Sequence, residues 1–306
     1  MKKKIIALVS LLVILTFIGY IVYDTMTSIS DRQTEESEKP EPVIPDKWFV
    51  FNSIPVAEGK LAAVAVSGNS DIFVGGESFV SCYSQDLKKK WTLKMPSRIT
   101  AMSVDDDTVF ASSQELRYLI SKSGKIINEW GPYEANSIIT SISAHGSHLV
   151  FADAGIKRVF VLNKKGEVVT MIGQTDNRFI IPSPYFDVAL FGSNLLYVAN
   201  TGNHRIETWT TDGKLLEQSG EPGTAPGAFC GCCNPAHFTV VPQGIITAEK
   251  GINRIKIIDQ RGTFIEFVSS QNSFTPSIPL DIASVDGNTI YAANPADSKL
   301  YLFKRR

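Results

Sequence analysis

Short hydrophobic stretches rich in Val, Ile, Phe and Tyr recur along the chain from about residue 60 to the C-terminus. Glycine-containing turns separate many of them, and after residue 30 no stretch repeats its hydrophobic residues with the 3.6-residue period of a helix. Six stretches align on one small residue, at successive spacings of 37, 41, 47, 49 and 45 residues. The aligned residues are Val74, Ala111, Ala152, Ala199, Ala248 and Ala293. Most copies carry a strand-like stretch upstream and another downstream, so each repeat predicts four short β-strands.

Repeats of four strands at this period are typical of a β-propeller, in which each repeat forms one blade. Six repeats therefore predict an all-β, six-bladed β-propeller. The last repeat ends at Arg306, directly after its third strand, while a hydrophobic stretch, WFVF at residues 48–51, precedes the first repeat. We expect this N-terminal stretch to supply the missing strand of the sixth blade, because closing the ring removes exposed sheet edges.

The N-terminal region has a different pattern. Three lysines at positions 2–4 precede an uncharged, mostly apolar run at residues 5–23, which is nearly long enough to span a bilayer. We predict an uncleaved single-pass transmembrane helix with a cytoplasmic N-terminus and an extracytoplasmic propeller, periplasmic or on the cell surface. A cleaved signal peptide is the alternative. The predicted organisation is 1–23 cytoplasmic lysines and anchor, 24–45 disordered polar tether, and 46–306 propeller.

One repeat carries a family resemblance. Residues 185–220, YFDVALFGSNLLYVANTGNHRIETWTTDGKLLEQSG, combine a strand, the hairpin YVANTGNHRI and the ending DGKLL…G. This pattern resembles the NHL repeat, and the resemblance extends over about residues 60–306. It implies a six-bladed NHL-type propeller whose ligands bind at one mouth of the central channel. NHL-like propellers include a zinc-dependent lyase, for which this chain has too few suitably placed histidines.

An acidic or amide residue follows the small residue in four repeats, and a basic residue follows five positions later. The acidic and amide residues are Asp153, Asn200, Glu249 and Asn294. The basic residues are Arg158, Arg205, Arg254 and Lys299, with Arg117 in the second repeat. Calcium-dependent lactonases of the six-bladed type use Glu, Asn, Asn and Asp in the channel, which matches the first set in residue type. Because the set recurs from repeat to repeat, we instead predict hairpin stabilisation and contacts between blades.

The segment FCGCCNPAHF, residues 229–238, is called the cysteine loop below. It holds Cys230, Cys232 and Cys233, three of the four cysteines, and His237. By the repeat alignment it connects the fourth and fifth blades at a channel mouth. Three interpretations are open: a disulfide, favoured by an oxidising compartment; a transition-metal or iron–sulfur site with these three cysteines and His237 as candidate ligands; or thiol redox chemistry.

The net charge of −1 gives no support to nucleic-acid binding. The preferred hypothesis is a non-enzymatic, membrane-anchored, extracytoplasmic propeller that binds a protein or ligand at its channel mouth. A cysteine-bound metal or redox group would then serve a membrane complex that includes a protein partner. The alternative hypothesis is a metal-dependent hydrolase or lyase of the six-bladed propeller type.

Overall fold

The structure is a computed structural model that describes residue 5 and residues 10–25, 44–174, 178–270 and 273–306. The chain divides into two compact units, Met1–Ile44 and Pro45–Arg306. In the smaller unit, residues 10–25 form a helix. Within the described residues, no helix is both long and apolar enough to cross a membrane. Part of the predicted anchor (residues 1–4 and 6–9) and most of the predicted tether (residues 26–43) lie outside the described residues.

The larger unit, as far as it is described, contains 24 strands that form six four-stranded antiparallel sheets. The strands are β1 (Trp48–Pro55), β2 (Leu61–Val66), β3 (Ile72–Gly76), β4 (Phe79–Tyr83), β5 (Lys89–Lys94), β6 (Ala101–Asp105), β7 (Thr108–Ser112), β8 (Arg117–Ser121), β9 (Ile126–Trp130), β10 (Ile139–His145), β11 (His148–Asp153), β12 (Arg158–Asn163), β13 (Val168–Ile172), β14 (Val188–Phe191), β15 (Leu195–Asn200), β16 (Arg205–Thr210), β17 (Leu215–Ser219), β18 (His237–Val241), β19 (Gly244–Ala248), β20 (Ile255–Ile258), β21 (Phe264–Ser269), β22 (Asp281–Ala283), β23 (Thr289–Asn294) and β24 (Lys299–Arg305).

Five blades are built from consecutive strands: β2–β5, β6–β9, β10–β13, β14–β17 and β18–β21. The sixth has the order β22-β23-β24-β1, so the first strand of the chain lies beside the last. Trp48 of β1 pairs with Arg305 of β24 and Pro55 with Lys299. The predicted closure by residues 48–51 is confirmed, and so is the all-β, six-bladed propeller.

The aligned small residues all lie in the second strand of their blades and are fully buried. Second strands such as β3 and β19 are buried at every residue, whereas the fourth strands β9 and β13 are largely exposed. A blade is therefore buried on both faces near the channel, where it packs between two neighbouring blades, and more exposed at its outer edge, where even Ile127 and Val169 are exposed. Large side chains fill the space between blades, as where Phe151 and Phe160 stack with ring centroids 4.6 Å apart.

Candidate functional site

The first strands of the six blades line a central cavity of about 140 Å³. One inward position recurs in every blade, opposite the aligned small residue of the second strand. We call these six residues the channel ring: Val64, Met102, Ser141, Asp187, His237 and Asp281. The ring is apolar or neutral in the first three blades and titratable in the last three, so the channel has two chemically different halves.

Side chains at the channel bond the backbone of the next blade. The Phe238 amide donates to Asp187 Oδ2 at 2.7 Å, and the Val64 amide donates to Asp281 Oδ2 at 2.8 Å. Ser143 Oγ accepts from Leu190 N–H at 3.0 Å in the same way. These bonds link first strands across blade boundaries, so the wall of the channel holds its titratable groups in fixed positions.

His237 lies between the two carboxyl groups. Its Nδ1 is 3.8 Å from Asp187 Oδ2 and 3.6 Å from Asp281 Oδ1. Burial raises the pKa of Asp187 to about 6; burial together with the charge of Asp187 raises the pKa of Asp281 to about 8. Burial lowers the pKa of His237 to about 4. At neutral pH the imidazole is therefore neutral, and Asp281 largely keeps its proton.

The cysteine loop runs from the fourth blade to β18 and lies on the face formed by the hairpins between second and third strands. His204, in the hairpin between β15 and β16, contacts the Gly231 carbonyl through Nε2. Asn234 joins the loop to the hairpin after β19: its Nδ2 donates to the Lys250 carbonyl at 2.7 Å, and its Oδ1 accepts from the Lys250 amide at 2.9 Å. Asn234 Nδ2 also donates to the Cys230 carbonyl. The predicted location of the loop on the hairpin face agrees with these contacts.

A buried charge cluster supports the segment that enters the loop. Glu249 Oε1 lies 2.9 Å from Arg254 Nε and 3.0 Å from Lys256 Nζ, and all three side chains are almost completely buried. Lys256 donates to the Ala228 carbonyl at 2.6 Å and lies 4.4 Å from the centroid of the Phe229 ring. Burial, partly offset by Glu249, lowers the pKa of Lys256 to about 8. The loop therefore begins from a segment that several charged hydrogen bonds hold in position.

The structure brings two of the predicted ligands together. Cys232 and Cys233 have their Sγ atoms 3.0 Å apart, and all four cysteines are free thiols. Cys232 is exposed and Cys233 is buried, whereas Cys82 is buried in β4 of the first blade. Among the described residues, no three His, Cys, Asp or Glu side chains are arranged to hold a metal ion.

Three residues that the sequence did not single out connect the thiols to the channel. Lys250 Nζ lies 3.4 Å from Ser183 Oγ and 4.8 Å from the centroid of the Tyr185 ring. The Tyr185 ring meets the His237 ring edge-on, with centroids 5.9 Å apart. Burial raises the pKa of the Cys233 thiol, but Ser183, Cys232 and the charge of Lys250 lower it, and the net shift is downward. A continuous row of polar and aromatic side chains thus runs from the thiol pair to the channel ring.

The recurring acidic and amide residues have structural partners. Asp153 Oδ1 accepts from the amides of Ile138 at 2.9 Å and Gly155 at 3.0 Å, and Asn200 Oδ1 accepts from Ile180 at 3.0 Å. Asn294 Oδ1 accepts from the Ala296 amide, and Glu249 pairs with Arg254. Arg117 contacts the next blade, where its guanidinium lies 3.7 Å from the centroid of the Phe151 ring. The hairpin contacts agree with the repeat prediction, and Arg117 makes the predicted contact between blades. Arg205 instead pairs with Glu207 of its own strand, and Arg158 contacts Met171 of its own blade.

Asp187 and Asp281, which the repeat analysis did not select, share a short sequence pattern. Asp187 and Asp281 both stand in a D-[VI]-A segment that begins a first strand, FDVA and LDIA. Aligning the repeats on the first strand rather than on the second would have placed both of them with His237 in one ring. Lys250, in contrast, has no counterpart in the other repeats, and only the folded hairpin brings it to the thiols.

No protein-family model and no curated protein sequence matches the chain. Among solved structures, it is similar to streptogramin B lyase, with 14% identity, a TM-score of 0.59 and coverage of 85% of this chain and 98% of that one. It is similar to virginiamycin B lyase from Staphylococcus aureus, with 15% identity, a TM-score of 0.58 and coverage of 85% and 100%. The WD40 domain of Doa1 shares 12% identity at a TM-score of 0.59, over 82% of this chain and 81% of that one. At these identities the similarity shows the fold alone: the chain is a six-bladed β-propeller.

Proposed function

We propose that this protein is an NHL-type propeller, anchored by residues 5–23 and exposed on the extracytoplasmic side of a membrane. In this proposal it binds a protein or ligand at the channel mouth, and the thiol pair of the cysteine loop is its reactive group in a membrane complex. The repeat pattern supports the NHL assignment, and the uncharged run behind three lysines supports the anchor and its orientation.

One observation carries the proposal. Cys232 and Cys233 lie with their Sγ atoms 3.0 Å apart on one face of the ring, and Lys250 and Tyr185 connect them to the channel residue His237. Other polar residues of this face, such as Asp153 and Asn200, are engaged in hydrogen bonds within their blades. The thiol pair, in contrast, includes an exposed sulfur, Cys232, that a bound molecule can reach.

Adjacent thiols support two kinds of chemistry. Two sulfurs at this separation can bind one soft metal ion, such as copper(I) or zinc, or they can exchange electrons as a dithiol. Metal content and thiol titration of the purified full chain distinguish these cases. A cysteine-bound metal should be lost in Cys232→Ser and in Cys233→Ser but retained in Cys82→Ser, since Cys82 lies in another blade.

Site-specific photocrosslinking tests the binding face. A photoreactive residue replaces Thr224, exposed beside the cysteine loop, or Ser147, exposed in the turn between β10 and β11 at the opposite end of its blade. In native membranes we expect discrete crosslinked products from position 224. An excess of the same protein without the photoreactive residue should reduce them by competing for the partner. Equal products from both positions, or none from position 224, would contradict binding at this mouth.

A second candidate, a metal-dependent hydrolase or lyase, is favoured by the titratable half of the channel ring. His237 and the carboxyl groups of Asp187 and Asp281 carry nitrogen and oxygen atoms of the kind that catalytic divalent metals use. In the described residues these three side chains are not arranged around a metal position, so metal binding would require them to move. This function predicts a bound divalent metal that disappears in Asp281→Asn and His237→Gln and remains in the cysteine variants. The cysteine-based proposal predicts the reverse pattern, so one set of metal analyses separates the two.

A further inference from the structure

The two sulfurs of the thiol pair have opposite environments. Cys232 is exposed, whereas Cys233, its neighbour in the chain, is 1% exposed. Their Sγ atoms are 3.0 Å apart, so a small movement brings them to bonding distance, about 2.05 Å in a disulfide. A molecule approaching this face can touch the first sulfur and not the second.

The buried sulfur has the environment of a good leaving group. Burial raises the pKa of Cys233, but hydrogen bonds from Ser183 and Cys232 and the charge of Lys250 outweigh it, and the net shift is downward. The hydrogen bond with Cys233 and the charge of that neighbour raise the pKa of Cys232. In an exchange at this pair the attacking thiolate can reach only the exposed Cys232 sulfur, so the buried Cys233 sulfur is the one that leaves.

A disulfide between adjacent residues is strained. Neighbouring Cα atoms across a trans peptide bond are about 3.8 Å apart, whereas ordinary disulfides span about 4.4–6.8 Å. Strained disulfides are more easily reduced, and labile bonds of this kind serve catalytic or regulatory roles. The anchoring of the loop by Asn234 to the hairpin at Lys250 holds both sulfurs in place while the bond between them forms and breaks.

We propose that Cys232 and Cys233 form a reversible vicinal disulfide that oxidises a dithiol of the molecule bound at the channel mouth, with Cys232 as the sulfur attacked and Cys233 as the leaving group. This inference rests on the proposed function, because the bound partner is the dithiol substrate.

The exchange balances in two steps. A partner thiolate bonds to Cys232 Sγ, the bond between the two cysteines breaks, and its electron pair remains on Cys233 as a thiolate beside Lys250. The second partner thiolate then attacks the partner's own sulfur in the mixed disulfide and releases Cys232. Two electrons pass from the partner dithiol to the pair, and the two thiol protons end on the two cysteines. A second, external disulfide then acts as the oxidant and restores the bond between Cys232 and Cys233 by the reverse exchange.

The test uses the purified full chain and glutathione as the probe. After treatment with oxidised glutathione, mass spectrometry should find a bond between Cys232 and Cys233 in the parent and in the matched control Cys230→Ser. On the reduced proteins, Cys233→Ser should hold glutathione on Cys232. Cys232→Ser should react with oxidised glutathione at least about tenfold more slowly, because the remaining sulfur, that of Cys233, is buried. In urea the two variants should react at similar rates, which shows that the difference comes from the fold.

The role of Lys250 in stabilising the departing Cys233 thiolate can be tested by the rate at which the disulfide is reduced. Lys250→Met should slow reduction of the vicinal disulfide by reduced glutathione about tenfold, and Lys250→Arg should restore most of the rate, because a positive charge stabilises the departing thiolate. In the parent, acid quenching during reduction should locate the mixed disulfide on Cys232, which tests the order of events without any substitution that affects folding.

Three results would overturn the inference: no bond between the adjacent cysteines, a bond that requires Cys230, or glutathione found first on Cys233. These results differ from failure of the proposed function. If position 224 crosslinks and the disulfide does not form, binding at the mouth stands and only the redox role is wrong. If the disulfide behaves as expected and position 224 gives no crosslink, the assignment of the binding face is wrong.

Discussion

Trp48 joins the closing strand β1 to the fifth blade, and Trp48→Ala should remove much of the stability of the propeller. Trp48 is 1% exposed in β1 and packs against Ile290 and Phe303 of the sixth blade and residues of the fifth. Its Nε1 donates to Glu266 Oε1 of β21 at 2.9 Å, so it joins two blades. Truncating a buried tryptophan to alanine costs about 3–5 kcal/mol. At about 2–4 °C per kcal/mol for a domain of this size, the melting temperature should fall by about 6–20 °C.

Two variants divide this loss into its parts. Trp48→Phe keeps most of the packing and removes the hydrogen bond to the Glu266 carboxylate, so it should cost about 1.5–3 kcal/mol. Phe51→Ala changes a residue of the same strand, but the Phe51 side chain is 53% exposed, and its ring centroid lies 4.0 Å from Lys304 Nζ. It should cost about 1 kcal/mol or less.

Urea unfolding, followed by tryptophan-independent circular dichroism, measures all three variants on the same scale. An unchanged slope with denaturant concentration shows that only stability has changed. If Trp48→Ala were no more destabilising than Phe51→Ala, the proposed role of Trp48 in joining the fifth and sixth blades would be refuted.

Lys256→Met removes the charged hydrogen bonds from Lys256 to the Ala228 carbonyl and to Glu249, which keeps Arg254 as its partner, and should cost about 1.5–3 kcal/mol in chemical denaturation. The exposed Lys88→Met should change stability by less than about 0.5 kcal/mol, and equal effects would contradict a role for the cluster. Between about pH 6.5 and 8 the stability of the propeller should fall as pH rises, because folded Asp281 holds its proton to a pKa of about 8 while the unfolded carboxyl has already lost it. A profile that becomes flat in Asp281→Asn would identify Asp281 as the titrating group, and a flat profile in the parent would refute this role of Asp281. Protease added to intact cells or spheroplasts should remove residues 46–306, and full protection of that part under permeable conditions would exclude the proposed topology.

The repeat pattern predicted most of the fold because each blade carries its own signal. Ala199 and Ala248 occur at the same position of successive second strands, and each is flanked by strand and turn residues that are local in sequence. The closure by residues 48–51 followed from a count of strands. The anchor at residues 5–23 and its orientation remain predictions.

The candidate site was less predictable because its contacts cross between blades. The sequence grouped His237 with the cysteines by proximity in the chain, and the structure places its ring between Asp187 and Asp281 in the channel. Lys250 reaches the thiol pair from a different hairpin. Such neighbours depend on how blades pack around the ring, and the pattern within one repeat does not contain that information.

The pairing of β1 with β24 has a consequence for how the chain acquires its structure. During synthesis β1 has no partner until β24 emerges, so the edge of β1 stays unpaired while the other blades form. Contacts between the two ends of a long chain carry a high cost in loop closure and slow the final step of folding. Open strand edges in such intermediates promote aggregation. Before β24 forms, the unpaired edge of β1 should therefore favour aggregation, and deletion of β24 should leave a ring that cannot close.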